Sequence, residues 1–132
     1  MEKFKYECAL LIDDNEIDNF INKKLIQKTK FAQSIVEKFS AVSALEYLRE
    51  NIKQPEGLPD VIFLDITMPI MDGFGFLAEF EQLPEIVKNK CKVVMLSSSE
   101  SFKDLNRANS NRYVNKFLNK PLSEKALEVI YF

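Results

Sequence analysis

The sequence predicts an α/β domain built on a doubly wound, five-stranded parallel sheet in the order 2-1-3-4-5, with helices on both faces. Its 132 residues correspond to a single domain spanning residues 1–132. Short apolar segments alternate with amphipathic helical patterns, an arrangement that produces parallel strands joined by right-handed crossovers. The strongest apolar segments lack polar alternation, as expected of strands that are buried on both faces.

Five segments have the composition of strands. The most polar, Ser34–Phe39, is predicted to lie at an edge of the sheet, because edge strands tolerate polar residues. Val61–Leu64 is the most apolar and is followed directly by Asp65. In chain order the predicted strands are Cys8–Asp13, Ser34–Phe39, Val61–Leu64, Lys92–Ser97 and Tyr113–Leu118.

Five helical segments follow these strands, identified mainly by apolar residues three or four positions apart. Asp72 and Ser123 are predicted N-caps of the third and the last helix. Residues 102–112, rich in Asn and Ser, predict a short fourth helix, and residues 54–59 predict a surface loop. In a domain of this size the pattern predicts the flavodoxin-like fold, with its site at the carboxyl ends of the strands. The apolar positions are Ile17, Phe20, Ile21 and Leu25 in the first helix, Ala41, Ala44, Leu45, Leu48 and Ile52 in the second, Phe76, Leu77, Phe80 and Leu83 in the third, and Ala126, Leu127 and Ile130 in the last.

Composition and charge argue against several classes of function. Lys and Arg number 18 against 20 Asp and Glu, a net charge of −2, which is not the positive surface of a nucleic-acid-binding protein. No apolar segment approaches the roughly 20 residues that span a bilayer. The N-terminus does not resemble a signal peptide and the two cysteines fit no zinc pattern, so we expect a cytoplasmic protein. The absence of His excludes His-ligated zinc and Ser–His or Cys–His catalysis.

Side chains capable of chemistry follow the central strands. Asp13 and Asp14 end the first strand, Asp65 the third and Ser97 the fourth, and Lys120 comes after the fifth. The carboxyl ends of parallel strands meet at one edge of a sheet. The predicted fold therefore brings these residues together although they are far apart in the sequence.

This grouping favours phosphoryl transfer to an aspartate. Three neighbouring carboxylates repel one another unless a cation joins them, and Mg²⁺, which is bound by carboxylates and water, suits such a site. Lys120 would add a second positive charge, and Ser97 a hydroxyl group that can bond a phosphoryl oxygen. A nucleophilic carboxylate, Mg²⁺, a hydroxyl and an ammonium are what this chemistry requires.

These residues resemble the site of response-regulator receiver domains of two-component signalling, in particular of single-domain, chemotaxis-regulator-like members. The similarity extends from about Cys8 to Phe132, and its most specific part is the segment DITMPIMDG at residues 65–73. The resemblance implies that Asp65 is the phosphoacceptor, that Ser97 and Lys120 contact the phosphoryl group, and that Ser97 and Phe117 form a switch. It also implies a Mg²⁺ site formed by Asp13, Asp14, Asp65 and the backbone carbonyl of Thr67.

The resemblance further implies partners. A sensor histidine kinase or a phosphotransfer protein would supply the phosphoryl group. The domain would catalyse only its own phosphorylation and dephosphorylation, and would then bind a downstream protein through the face formed by its fourth helix, fifth strand and last helix. Direct contact with nucleic acid or membrane is not implied.

Two residues depart from the common pattern of this family. Ser97 stands where many members have Thr, and Phe117 stands where many have Tyr. Phe117 has no hydroxyl group, so an aromatic switch here would depend on packing alone. The resemblance also implies that Thr67 and Ser99 flank the path of the hydrolytic water. Neither offers an acid or amide to orient it, so we expect the phosphoryl group to outlast that of fast-resetting chemotaxis-type receivers.

Three alternatives remain at this point. A haloacid-dehalogenase-type phosphatase also uses an Asp nucleophile and Mg²⁺, but it favours a second Asp two residues later, where this chain has Thr67. A flavin mononucleotide binder needs a phosphate loop after the first strand, and Asp13-Asp14 would repel a phosphate. A receiver fold acting only as an unphosphorylated docking module would not need the complete acidic site.

Overall fold

The computed structural model describes residues 3–98 and 102–132 of the chain. Five parallel strands form one sheet in the order β2-β1-β3-β4-β5, which confirms the predicted topology. β2 lies at an edge, and its residues are more exposed than those of β3, which is buried throughout. The strands are β1 (Tyr6–Ile12), β2 (Ala32–Lys38), β3 (Val61–Asp65), β4 (Lys92–Ser97) and β5 (Val114–Asn119).

Within the described ranges, six α-helices connect and flank these strands, one more than the sequence predicted. The additional helix, Glu85–Lys90, begins after Pro84 and buries only Val87, so it is too short to produce a helical periodicity. A 3-10 helix at Pro55–Gly57 lies in the predicted surface loop, and Leu58 beyond it is fully buried, so that part of the loop prediction was wrong. The α-helices are α1 (Glu16–Thr29), α2 (Ala41–Glu50), α3 (Gly73–Glu81), α4 (Glu85–Lys90), α5 (Phe102–Ser110) and α6 (Glu124–Glu128).

Both predicted N-caps are confirmed. The Asp72 carboxylate accepts a hydrogen bond from the Gly75 amide at 2.8 Å, and the Ser123 hydroxyl accepts one from the Ala126 amide at 3.1 Å. These bonds satisfy backbone donors that have no partner within the helix. The short fourth predicted helix corresponds to α5, and the last predicted helix to α6.

Two apolar clusters cover the two faces of the sheet. The larger one packs α2 and α3 against strand residues such as Leu10, Ile62 and Val93, and the second one packs Ile26 of α1 and Leu127 of α6 against residues such as Leu11 and Phe63. Adjacent strand residues belong to opposite clusters, because side chains alternate between the two faces of a strand.

Most of the apolar positions that identify α1 in the sequence do not face the core. Ile17, Phe20 and Ile21 are 68%, 57% and 51% exposed, whereas Asn19 and Asn22 are buried. Only the later part of the helix contributes apolar side chains to the core, through Ile26 and partly through Leu25. The apolar stripe of α1 therefore faces solvent at the end of the helix nearest Asp14.

Within the described residues, no helix has both the length and the apolar composition needed to cross a bilayer.

Candidate functional site

Three carboxylates converge at the carboxyl ends of β1 and β3. Asp65 is the last residue of β3, and Asp13 and Asp14 follow β1 directly. One oxygen atom of each carboxylate lies within 4.8 Å of the others. Asp13 and Asp65 are 3% and 4% exposed, whereas Asp14 is exposed. The pairing of β1 with β3 produces this arrangement, because Ile12 pairs with Leu64 immediately before the acids.

Lys120 brings one positive charge to this group. Its Nζ donates to Asp13 Oδ2 at 2.7 Å and lies 3.1 Å from Asp65 Oδ1. The backbone amide of Lys120 donates to the Ser97 carbonyl at 2.7 Å, and the Lys120–Pro121 peptide bond is cis. The structure thus brings together the lysine and the acids that the sequence predicted.

The local environment changes the ionisation of Asp65 and Lys120. Burial raises the pKa of Asp65 to about 6, and the nearby Asp13 charge adds to this effect, while Lys120 opposes it. Burial alone would lower the pKa of Lys120, but its hydrogen bonds to Asp13 and other carboxylates outweigh burial and raise this pKa well above its usual value. The lysine is therefore charged, and ionisation of the Asp65 carboxylate is disfavoured, first by burial and then by the neighbouring Asp13 charge.

The loop after Asp65 turns sharply toward α3. The Gly73 amide donates to the Ile66 carbonyl at 2.7 Å, and a Cβ atom on Gly73 would lie 2.8 Å from the Asp65 carbonyl oxygen. Glycine is therefore required there, because the loop backbone packs against the end of β3. Thr67 is exposed, and Ile70 is fully exposed with a φ of 71°, a left-handed conformation that is costly for a β-branched residue.

The two predicted switch residues lie on neighbouring strands. Ser97 ends β4 and is 2% exposed. Phe117 lies on β5 opposite Met95 of β4 and packs, partly buried, against the larger apolar cluster. Ser99, which the sequence associated with hydrolysis, lies outside the described residues. Ser97 pairs with Asn119, two residues after Phe117 on β5.

Two further polar residues of this site were missed by sequence reasoning. Asp18 Oδ2 accepts a hydrogen bond from Lys120 Nζ at 3.0 Å. The buried Asn19 side chain donates to the carbonyls of Asp13 and Lys38, at 3.1 and 3.3 Å. Both residues lie in α1, where the exposed apolar residues on either side of them dominated the pattern. A possible signal was their position in the first turns after Asp13-Asp14.

The donor set fits the Mg²⁺ that the sequence predicted. All three side chains offer hard oxygen ligands, and two of them are buried next to each other. One Lys120 ammonium does not balance three carboxylates, and the pKa of Asp65, which burial raises most, is raised further by repulsion from Asp13 and Asp14. A divalent cation between these oxygens would remove this repulsion.

The fold and the site together define a class of protein, namely a flavodoxin-like domain with an acidic, lysine-containing site at the carboxyl ends of its strands. The family model for the response regulator receiver domain matches residues 9–131. The chain therefore belongs to the response-regulator receiver family, whose members are phosphoacceptor signalling modules rather than enzymes. The assignment excludes the phosphatase and flavin-binding alternatives.

Individual relatives agree with this assignment. The chain is 32% identical over 119 residues to the probable methanogenesis regulatory protein FilR2 of Methanothrix harundinacea, covering 90% of this chain and 75% of that protein. It is similar to the crystal structure of a two-component response regulator from Cytophaga hutchinsonii, with a TM-score of 0.86, 34% identity, and 92% and 91% of the two chains covered. A receiver protein from Dyadobacter fermentans gives a TM-score of 0.82 at 31% identity, with the same coverage.

Receiver domains also occur as parts of longer proteins. A protein-glutamate methylesterase/protein-glutamine glutaminase 3 of Burkholderia thailandensis is 33% identical over 100 residues, and that match covers 76% of this chain but only 26% of the relative.

Proposed function

We propose that Asp65 accepts a phosphoryl group from a sensor histidine kinase or a phosphotransfer protein, and that this modification changes which protein the domain binds. The observation that carries the proposal is the 3.1 Å ion pair between Lys120 Nζ and Asp65 Oδ1 within a group of three carboxylates. Burying a carboxylate next to two others is costly, and such perturbed acids are typical of functional sites.

The neighbouring groups have chemistry that suits this transfer. The Asp65 carboxylate oxygen attacks phosphorus, and the bond from phosphorus to the donor histidine nitrogen breaks. Lys120 donates an N–H and Ser97 an O–H hydrogen bond to phosphoryl oxygens, and both keep their protons. Mg²⁺, when bound, supplies positive charge against these oxygens, and its proposed ligands are Asp13, Asp14, Asp65 and the Thr67 backbone carbonyl.

The proposed binding surface for a downstream protein is the face formed by α5, β5 and α6. A phosphoryl group on Asp65 would give the Ser97 hydroxyl a new acceptor at the end of β4. Movement of Ser97 would alter the packing next to Phe117 on β5, which shifts the population of its conformations rather than the fold. A downstream protein that binds this face would respond to the shift.

The proposed docking surface for the phosphodonor is the exposed apolar part of α1. Ile17, Phe20 and Ile21 are more than half exposed, and Ile21 lines the same small pocket as Lys120 and Pro121. Apolar side chains next to a reactive site are typical of protein-binding surfaces. A kinase or phosphotransfer domain covering them would bring its histidine close to Asp65.

The direct test is uptake of a phosphoryl group from acetyl phosphate in the presence of Mg²⁺, followed by mass spectrometry of the intact protein. The wild type should gain one phosphoryl group, and Asp65→Asn should gain none. Asp72→Asn is a matched control, because it removes a carboxylate seven residues away while Asn still caps α3. Equal uptake by wild type and Asp65→Asn would refute the assignment of the acceptor.

The metal ligands are tested separately. Mg²⁺ should shift the amide resonances of residues 13–14 and 65–67 in the wild type, and Asp14→Ala should abolish these shifts. Unchanged Mg²⁺-induced shifts in the Asp14 variant would contradict the proposed ligand set.

A further inference from the structure

Lys120 has a third carboxylate partner, Asp18, in addition to the two acids at the strand ends. Asp18 lies in the first turn of α1, and its Oδ2 is 3.0 Å from Lys120 Nζ. Its side chain is 38% exposed, compared with 4% for Asp13 and 6% for Asp65. An ammonium group has three N–H donors, and here three carboxylates lie within reach of them.

A phosphoryl group on Asp65 would compete for these donors. Its oxygens need an N–H from Lys120. As long as Lys120 keeps its 3.1 Å contact with Asp65 during the transfer, this N–H has to come from the bond to Asp13 or the bond to Asp18. The bond to Asp13 is the shortest of the three, and its acceptor is buried. The Asp18 carboxylate is the most exposed of the three and regains water at the lowest cost when it loses its partner.

We propose that Asp18 is a positioning residue that competes with the incoming phosphoryl group for Lys120 and thereby slows the phosphorylation of Asp65. The inference rests on the proposed function of Asp65. With acetyl phosphate as donor, the bond between phosphorus and the acetate oxygen breaks as the bond to the Asp65 oxygen forms, and acetate leaves with the electron pair. Lys120 remains an ammonium throughout and exchanges its bond to Asp18 for one to a phosphoryl oxygen.

A simpler role for Asp18 also has to be tested. An acid in the first turn of a helix is stabilising in any case, because it faces the positive end of the helix dipole. Glu16 is a matched control, since it is an exposed acid in the same turn of α1 and is not among the carboxylates that bond Lys120. Removal of either charge alters the helix terminus, but only Asp18 acts on Lys120.

The experiment compares initial rates of phosphorylation by acetyl phosphate and Mg²⁺ in wild type, Asp18→Asn, Glu16→Gln, Lys120→Gln and the double variant of Asp18 and Lys120. Asp18→Asn should react about two- to fivefold faster than wild type, as expected from loss of a partly exposed ion pair. Glu16→Gln should remain within about 1.5-fold of wild type, because exposed charges are screened by salt. In the Lys120→Gln background, Asp18→Asn should have no effect.

The second readout is independent of the reaction. Without donor, the ¹⁵N resonance of Lys120 Nζ should shift in Asp18→Asn and stay in place in Glu16→Gln. A wild type that takes up no phosphoryl group would overturn the proposed function and this inference with it. If the wild type is labelled, the inference alone is overturned when Asp18→Asn reacts no faster than Glu16→Gln, or when it also accelerates the Lys120→Gln protein.

Discussion

Helices α1 and α2 both carry apolar residues three or four positions apart, but most of these residues face solvent in α1 and the sheet in α2. In α2, Ala44, Leu45 and Leu48 are buried against the sheet. In α1, Phe20 and Ile21 are exposed, and the helix contacts the core mainly through Ile26. Apolar periodicity therefore identifies a helix without determining which of its faces meets the sheet.

The polar face of α1 is occupied by contacts with the site. Asn19 donates to the backbone carbonyls at the ends of β1 and β2, and Asp18 accepts from Lys120. These bonds fix the rotation of the first turns of α1 about the helix axis. The apolar side chains on its opposite face are then left in solvent, where a partner can reach them.

The largest expected difference between the two helices is in how much the protein is destabilised when an apolar side chain is truncated to Ala. Leu48→Ala in α2 should lower the free energy of unfolding by about 3 kcal/mol, because it removes a fully buried side chain. Phe20→Ala in α1 should change it by less than about 0.5 kcal/mol, because its ring is already exposed. Urea denaturation measures both. A comparable loss for Phe20→Ala would mean that this face of α1 belongs to the core.

The next largest expected effect is a dependence of stability on pH, which arises from the buried carboxylate of Asp65. Its pKa is raised from 3.8 to about 6 in the folded protein. Between about pH 4 and pH 6 the folded state therefore keeps a proton that the unfolded state has lost, so stability falls as the pH rises through this window and levels off above it. The expected loss is on the order of 3 kcal/mol.

Asp65→Asn has no titratable side chain at position 65 and is therefore the control for this pH dependence. Relative to wild type, Asp65→Asn should therefore be more stable at pH 7 than at pH 4, that is, its free energy of unfolding should be higher by comparison, measured by denaturation at both values. At pH 7, Mg²⁺ should restore the stability that the wild type loses on ionisation of Asp65. It should stabilise Asp65→Asn less, because the variant lacks one of the carboxylates. A difference between the two proteins that does not vary with pH would contradict the raised pKa.

A smaller effect is expected at the buried polar face of α1. Asn19→Ala should lower the free energy of unfolding by about 1–2 kcal/mol, because the carbonyls of Asp13 and Lys38 lose a donor. Asn19 Oδ1 has no hydrogen-bond partner among the residues that the structure describes, so removing that atom offsets part of the loss. Thermal denaturation should also show no such loss for Ile17→Ala, which alters the exposed face.

The smallest predicted change is a gain. Ile70 is fully exposed, and its φ of 71° is unfavourable for a β-branched side chain. Ile70→Asn should stabilise the fold by about 1 kcal/mol, because Asn adopts the left-handed conformation more easily. If Ile70→Asn is less stable than wild type, the apolar side chain has a role in the fold that its exposure does not reveal.

Much of the site could be predicted from the sequence because its members end strands. Asp13, Asp14, Asp65 and Ser97 follow apolar segments, and a parallel sheet necessarily aligns those ends. Asp18 and Asn19 could not be predicted in this way, since their roles depend on the rotation of α1. Helix α4 was missed because six residues with one buried side chain carry no periodic signal.

The proposed acceptor of the phosphoryl group is the carboxylate of Asp65 and no other group. Borohydride reduces an aspartyl phosphate to homoserine, which marks the acceptor covalently. After treatment with acetyl phosphate, Mg²⁺ and borohydride, peptide mass spectrometry should detect homoserine at residue 65 and intact aspartate at residues 13, 14 and 18. Homoserine at any of those three positions, or an unmodified residue 65 in a protein that has gained a phosphoryl group, would contradict the account.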